Sequence, residues 1–109
     1  MPIYNKLVRD QIPNVIAATG KKYSTTILSD EDYIIELQKK ASEELEEYIN
    51  AKDQNEAIEE LADLLEILHA FAEYHGTSIQ EVEKIREKKA EERGGFKEKI
   101  FLIEVEDEQ

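Results

Sequence analysis

The sequence predicts an all-α fold, an antiparallel helical bundle. Apolar residues recur at helical spacing along three long segments of the chain. Two of these segments follow residues that suit a helix N-cap, and two of them end near glycine. With 109 residues, no internal repeat and no linker, residues 1–109 are expected to form one domain.

The elements are predicted in order along the chain. A short helix is expected over about residues 10–18, closed by Gly20, which suits a left-handed cap. Three longer helices are expected from Ser29 or Asp30 to about Ala51, from about Glu56 to Tyr74, and from Ser78 to Gly94-Gly95, with a turn at 52–55. Residues 22–28 and 100–105 are rich in β-branched and aromatic side chains and are candidates for a minor two-stranded β ribbon.

The composition excludes several classes of function. With 26 acidic and 14 basic residues the net charge is -12, which repels nucleic acid and anionic membranes, so neither a polynucleotide nor a membrane is expected as a partner. The absence of cysteine removes disulfides, thiolate metal sites and thiol catalysis. No apolar run approaches the roughly 18 residues of a membrane span, and the charged start does not suit a signal peptide, so a cytoplasmic location is expected.

On the first long helix, a carboxylate falls on the face that should be buried. A helical wheel places Glu44 in the middle of an apolar stripe, with Glu47 and Lys40 at its margin and Glu43 a little beyond. The stripe consists of Ile34, Leu37, Ala41, Leu45 and Tyr48. A buried carboxylate is costly unless it is paired, and Lys40 alone is insufficient for three of them, so this face calls for a cation.

The second long helix shows the same anomaly. Its apolar residues cover an arc of about 220°, too wide for a helix packed on one side. Glu60 lies inside this arc and Asp63 just past its edge. Spacings of three bring Glu44 near Glu47 and Glu60 near Asp63, so two facing antiparallel helices would form a cage of four carboxylates. Oxygen ligands without His or Cys suit Mg²⁺, or else Mn²⁺, and point to phosphate chemistry.

The third long helix carries cations on its inner face, at Arg86, Lys89 and Arg93. They could pair with the cage carboxylates or bind substrate phosphates. Further phosphate-binding candidates are Lys40, Lys6 and Arg9. The two histidines, His69 and His75, lack metal-ligand spacing and are expected to be packing or surface residues.

Two motifs resemble those of a known superfamily. Lys40-Ala-Ser-Glu43-Glu44-Leu-Glu-Glu47, followed by Glu60-Leu-Ala-Asp63-Leu-Leu, resembles the metal motif of the all-α nucleotide pyrophosphohydrolases. That superfamily includes MazG proteins, phosphoribosyl-ATP pyrophosphohydrolase and the all-α dUTPases. The segments 4–13 and 93–96 resemble a subgroup labelled phosphoribosyl-ATP pyrophosphohydrolase-like.

The resemblance implies a MazG-like helical domain that hydrolyses a nucleoside triphosphate, or a related nucleotide, to monophosphate and pyrophosphate with Mg²⁺. By analogy, Glu44, Glu47, Glu60 and Asp63 hold the ions and Glu43 holds or orients a water, which makes Glu43 and Glu44 the catalytic candidates. Family members associate as homodimers or homotetramers. Two alternatives remain, namely the phosphoribosyl-ATP pyrophosphohydrolase of histidine biosynthesis and a catalytically silent helical module whose carboxylates pair with the cations.

Overall fold

The computed structural model describes residues 2–107, and its regular structure there is helical throughout. The four helices are α1 (Ile12–Ala18), α2 (Asp30–Ile49), α3 (Gln54–Tyr74) and α4 (Ile79–Arg93). The all-α prediction is confirmed. No helix in residues 2–107 is long and apolar enough to cross a membrane.

Side-chain caps determine where the long helices begin. The Ser29 hydroxyl accepts a hydrogen bond from the Asp32 N–H at 3.2 Å, and Ser78 does the same for Glu81 at 3.3 Å. Each bond satisfies one of the amides that have no partner in the first turn of a helix. The last helix ends at Arg93, and the residue that caps it, Gly94, has a φ of +82°, which is readily adopted only by glycine.

Three predicted boundaries need correction. The first helix begins at Ile12 and not near residue 10, with Pro13 in its first turn, where a missing N–H costs nothing. Helix α2 ends at Ile49, two residues before the predicted Ala51. The turn after it keeps its predicted length but lies two residues earlier, at 50–53, because the Asp53 carboxylate accepts from the Glu56 N–H at 2.9 Å and α3 begins at Gln54.

The predicted β ribbon does not form. Residues 22–28 and 100–105 are irregular, and almost all of them are exposed. A β-rich composition needs a neighbouring strand to complete its hydrogen bonds, and an isolated two-stranded ribbon is marginally stable in water. The prediction that these two segments pair as strands is therefore wrong, although their side chains are of types common in strands.

The helices are arranged around one hairpin. Helices α2 and α3 pack side by side in antiparallel directions, so that Tyr33 near the start of α2 lies 6.2 Å, ring centre to ring centre, from Tyr74 at the end of α3. Helix α4 packs on α3, whereas α1 packs against none of the other helices. The predicted metal ligands on α2 and α3 therefore lie on the two helices that form this hairpin.

The apolar core of the single chain is small. Among residues 2–107 the buried apolar side chains are Leu37, Ile67 and Ala72. Leu45 and Tyr48, which were expected in the buried stripe of α2, are 49% and 39% exposed. The radius of gyration is 18.9 Å, whereas a compact domain of this length has about 13 Å. The single chain is thus elongated and leaves much of its apolar surface uncovered.

Candidate metal centre

The α2–α3 hairpin brings three glutamates together. Glu44 and Glu47, one turn apart on α2, meet Glu60 on α3, and one carboxylate oxygen from each lies within 4.8 Å of the other two. We call these three residues the glutamate cluster. The antiparallel arrangement of two long helices makes residues that are 16 positions apart into neighbours.

Glu44 is the most unusual member of the cluster, because only 7% of it is exposed. Its Oε2 atom and the Oε2 atom of Glu60 are buried and accept no hydrogen bond. Leaving buried carboxylate oxygens without partners is costly. A proton shared by the carboxylates or a bound cation would relieve that cost, and the all-oxygen donor set suits a hard divalent cation.

Burial and the neighbouring carboxylates raise the pKa values of Glu44 and Glu60. Burial raises the pKa of the Glu44 carboxyl to about 7, and the neighbouring Glu60 and Glu47 carboxyls add to the rise. For Glu60, the approach of the Glu44 carboxyl lowers the pKa, but burial together with Glu47 and Asp63 outweighs this effect, so the net pKa is raised. The cluster therefore favours either a proton or another positive charge near neutral pH.

One lysine lies beside the cluster. The ammonium of Lys40 is 3.7 Å from Glu44 Oε1 and 3.9 Å from Glu43 Oε2. Glu43 is exposed and lies outside the cluster, so its role in holding a water stays a prediction. The single charge of Lys40 leaves Oε2 of both Glu44 and Glu60 without partners.

The fourth predicted ligand, Asp63, is engaged elsewhere. Its Oδ1 atom accepts a hydrogen bond from the Arg9 guanidinium at 2.6 Å. Its charge nevertheless raises the pKa of Glu44 and of Glu60, so it lies close to the cluster. From the sequence, Arg9 and Asp63 were named for separate roles and their contact was not predicted. The two residues are 54 positions apart, and no local sequence pattern indicates such a contact.

The cations of α4 are not brought to the cluster in this chain. The Arg86 guanidinium binds Glu83 on its own helix, and Lys89 and Arg93 are exposed. Among residues 2–107, no ion pair joins these three cations to the cluster or to Asp63. The structure thus gives no support to a silent module in which they neutralise the buried carboxylates, while their role toward a phosphate stays a prediction, as does that of Lys6.

The four helices and the glutamate cluster together define an all-α protein with a candidate divalent-cation centre on a helical hairpin. The family model described as phosphoribosyl-ATP pyrophosphohydrolase matches residues 6–92, and the chain belongs to that family. Membership implies a pyrophosphohydrolase, and such enzymes generally depend on a divalent metal. Neither the curated proteins nor the solved structures contain a match to this chain.

Proposed function

We propose that this chain hydrolyses a nucleoside triphosphate, or a related nucleotide, between its α- and β-phosphates with the help of Mg²⁺. The observation that carries the proposal is the buried carboxylate of Glu44, which faces Glu47 and Glu60 with an unpartnered oxygen. Family membership supplies the reaction class. Mn²⁺ is the second candidate ion, since it accepts the same oxygen ligands.

The residues of the chain have distinct roles in this proposal. Glu44, Glu47, Glu60 and Asp63 would hold the ion or ions. When bound, the cation supplies positive charge that neutralises phosphate oxygens and makes a neighbouring water easier to deprotonate. Glu43, which is exposed and adjoins Glu44 in the sequence, is the candidate for holding that water and taking its proton, by analogy with the family motif that residues 40–47 resemble.

The reaction balances without a covalent enzyme intermediate. The oxygen of one water bonds to a phosphorus of the α–β bridge, the bridging P–O bond breaks, and monophosphate and pyrophosphate leave. Positive side chains are needed to hold the polyphosphate in a chain with a net charge of -12. Lys40 and Arg9 are the nearest to the cluster, and Arg86, Lys89, Arg93 and Lys6 are the further candidates.

We further propose that residues 1–109 act as one domain in a homodimer or homotetramer. Four apolar residues along α3 are each about half exposed, and we call them the α3 stripe: Ile58, Leu61, Leu65 and Leu68. Their spacing of three and four residues is typical of a helix packed against a partner. Such a stripe is costly to leave in water. The cytoplasmic location stays a prediction.

A substrate screen tests the proposed activity. Purified protein would be incubated with Mg²⁺ and each of the common ribo- and deoxyribonucleoside triphosphates, and pyrophosphate and monophosphate would be measured as separate products. We expect equal amounts of both. Release of inorganic phosphate with a diphosphate would contradict cleavage at the α–β bond, and no metal-dependent product from any nucleotide would contradict the proposal.

The description of the family favours a second substrate. Phosphoribosyl-ATP carries the same α–β bond, so the cluster would perform the same chemistry on it. Including it in the screen separates the two proposals, because the preferred substrate is the one with the highest kcat/KM.

A further inference from the structure

The ion pair between Arg9 and Asp63 differs from the other ion pairs of the chain. Its atoms are 2.6 Å apart and its residues are 54 positions apart. Every other ion pair within residues 2–107 joins residues three or four positions apart on one helix. Among those residues it is also the sole hydrogen bond that ties the segment before Gly20 to the long helices.

The backbone near Arg9 is held in place on one side. Its carbonyl accepts a hydrogen bond from the Ile12 N–H at 3.0 Å, at the start of α1. Its neighbour Asp10 lies near α2, since burial raises the pKa of the Tyr33 phenol and the charges of Glu73 and Asp10 raise it further. The guanidinium of Arg9 is therefore presented to the hairpin from a turn that begins a helix.

Two positive partners can compete for the Asp63 carboxylate, namely the Arg9 guanidinium and a cation at the glutamate cluster. It lies one helical turn from Glu60, on the same face of α3, where it would complete a set of four carboxylates. Its Oδ1 atom is nevertheless bound by Arg9, and it is not among the three residues whose oxygens approach within 4.8 Å. The side chains of Arg9 and Asp63 are 57% and 40% exposed. An ion pair this exposed to water contributes little to stability, so it is easily exchanged.

We propose that Arg9 is a positioning residue that exchanges one anion for another. Without a divalent cation, it holds Asp63 away from the glutamate cluster. When the cation binds, Asp63 turns to the cluster and the guanidinium becomes free for a phosphate of the nucleotide. This inference rests on the proposed function. Arginine suits the second role because its planar fork can form two hydrogen bonds to a phosphate.

The first test measures Mg²⁺ affinity by calorimetry without nucleotide, in wild type, Arg9→Ala and Lys84→Ala. Lys84 is the matched control, because its loss removes the same charge and an exposed ion pair, with Glu81, far from the cluster in sequence. Arg9→Ala frees Asp63 and should tighten Mg²⁺ binding about two- to fivefold, as expected for removal of a weak exposed competitor. Lys84→Ala should change the affinity less.

The second test measures binding of a nucleotide whose α–β bridge is a methylene group, at saturating Mg²⁺. Arg9→Ala should weaken it about tenfold or more, since a charge-assisted contact is lost. Arg9→Lys should restore the Mg²⁺ affinity of wild type but recover the nucleotide affinity only in part. A purely structural role would lower stability without moving the two affinities in opposite directions.

Hydrogen exchange at the start of α1, where the Ile12 N–H donates to the Arg9 carbonyl, gives a readout that does not depend on activity or on replacing Arg9. In wild type, Mg²⁺ alone should speed this exchange, because release of the ion pair loosens the turn. In Asp63→Asn, exchange should be fast already and insensitive to Mg²⁺. An Mg²⁺ affinity in Arg9→Ala that equals that of Lys84→Ala, or wild-type exchange that Mg²⁺ does not alter, would overturn the inference while leaving the proposed function intact. Absence of Mg²⁺ binding to wild type would overturn both.

Discussion

At the scale of single residues, Glu60 provides the first prediction. Glu60→Gln keeps the shape of the side chain but removes a ligand charge, so hydrolysis should fall about 100-fold or more. Metal-free thermal stability should hold or rise, because carboxylate repulsion in the cluster is relieved. Glu59→Gln, an exposed change of equal charge on the same helix, should keep full activity. Wild-type turnover by Glu60→Gln with unaltered metal dependence would refute the ligand assignment.

The pKa of Glu44 predicts a pH dependence of stability. Folding raises this pKa from the ordinary 4.5 to about 7. The folded state therefore binds the proton more tightly than the unfolded state. The stability that this proton binding contributes is fully present below about pH 4.5 and is lost as the pH rises through 7. Metal-free urea unfolding between pH 4.5 and 8 should show this decline.

Two comparisons isolate the Glu44 contribution. Other acidic groups in this chain also repel one another more strongly as the pH rises. The decline should therefore be smaller in Glu44→Gln, which has no proton to lose. Saturating Mg²⁺ should flatten or reverse the decline in wild type, because a bound cation favours the ionised carboxylates. Equal slopes for wild type and Glu44→Gln would be incompatible with a raised pKa at Glu44.

A residue of the site could be predicted from the sequence where the periodicity of its own helix marks it as unusual. Glu44 was selected because the helical wheel put a charge in an apolar stripe, and the structure buries it. The contact between Arg9 and Asp63 depends on how the N-terminal segment lies against α3. Helical periodicity contains no information about that approach, so the sequence could name both residues but not their pairing.

At the scale of elements, the α3 stripe gives a prediction about assembly. Leu61 is 48% exposed in the middle of the stripe. Leu61→Glu would place a charge where a partner helix is proposed to pack, so the assembly should dissociate. Light scattering should show a multiple of the chain mass for wild type and the mass of one chain for the variant. Gln38→Glu adds the same charge at an exposed site on α2 and should leave the mass unchanged. A wild-type monomer at micromolar concentration would contradict the proposal.

The helices were predictable and the terminal segments were not, for a common reason. Helices are specified locally, by caps such as Ser29 and Ser78 and by a stop such as Gly94. Residues 22–28 and 100–105 have side chains suited to strands, but a strand is specified by its neighbour. The composition of these segments can be read from the sequence. Whether a neighbouring strand lies beside them depends on the folded structure and cannot.

At the scale of the whole molecule, the net charge of -12 and the glutamate cluster predict different responses to salt. Any added salt screens general repulsion among exposed acidic groups and stabilises the fold somewhat. A specific centre adds a further stabilisation that grows with the logarithm of ion concentration, about 2.7 kcal/mol at 100 times the dissociation constant. For a domain of this size, that corresponds to a rise in Tm on the order of 10 °C.

Thermal unfolding in Mg²⁺ and in NaCl of equal ionic strength should therefore give different curves. Wild type should show a larger rise in Tm with Mg²⁺, whereas Glu60→Gln should respond to the two salts more nearly alike, because it retains the general acidity but has lost a ligand charge. The comparison also separates the proposed enzyme from a silent helical module, which would gain nothing from Mg²⁺ beyond screening. If the two salts raise the Tm of wild type equally, Mg²⁺ acts as a diffuse counterion, and the buried carboxylates of Glu44 and Glu60 must be relieved by a shared proton instead.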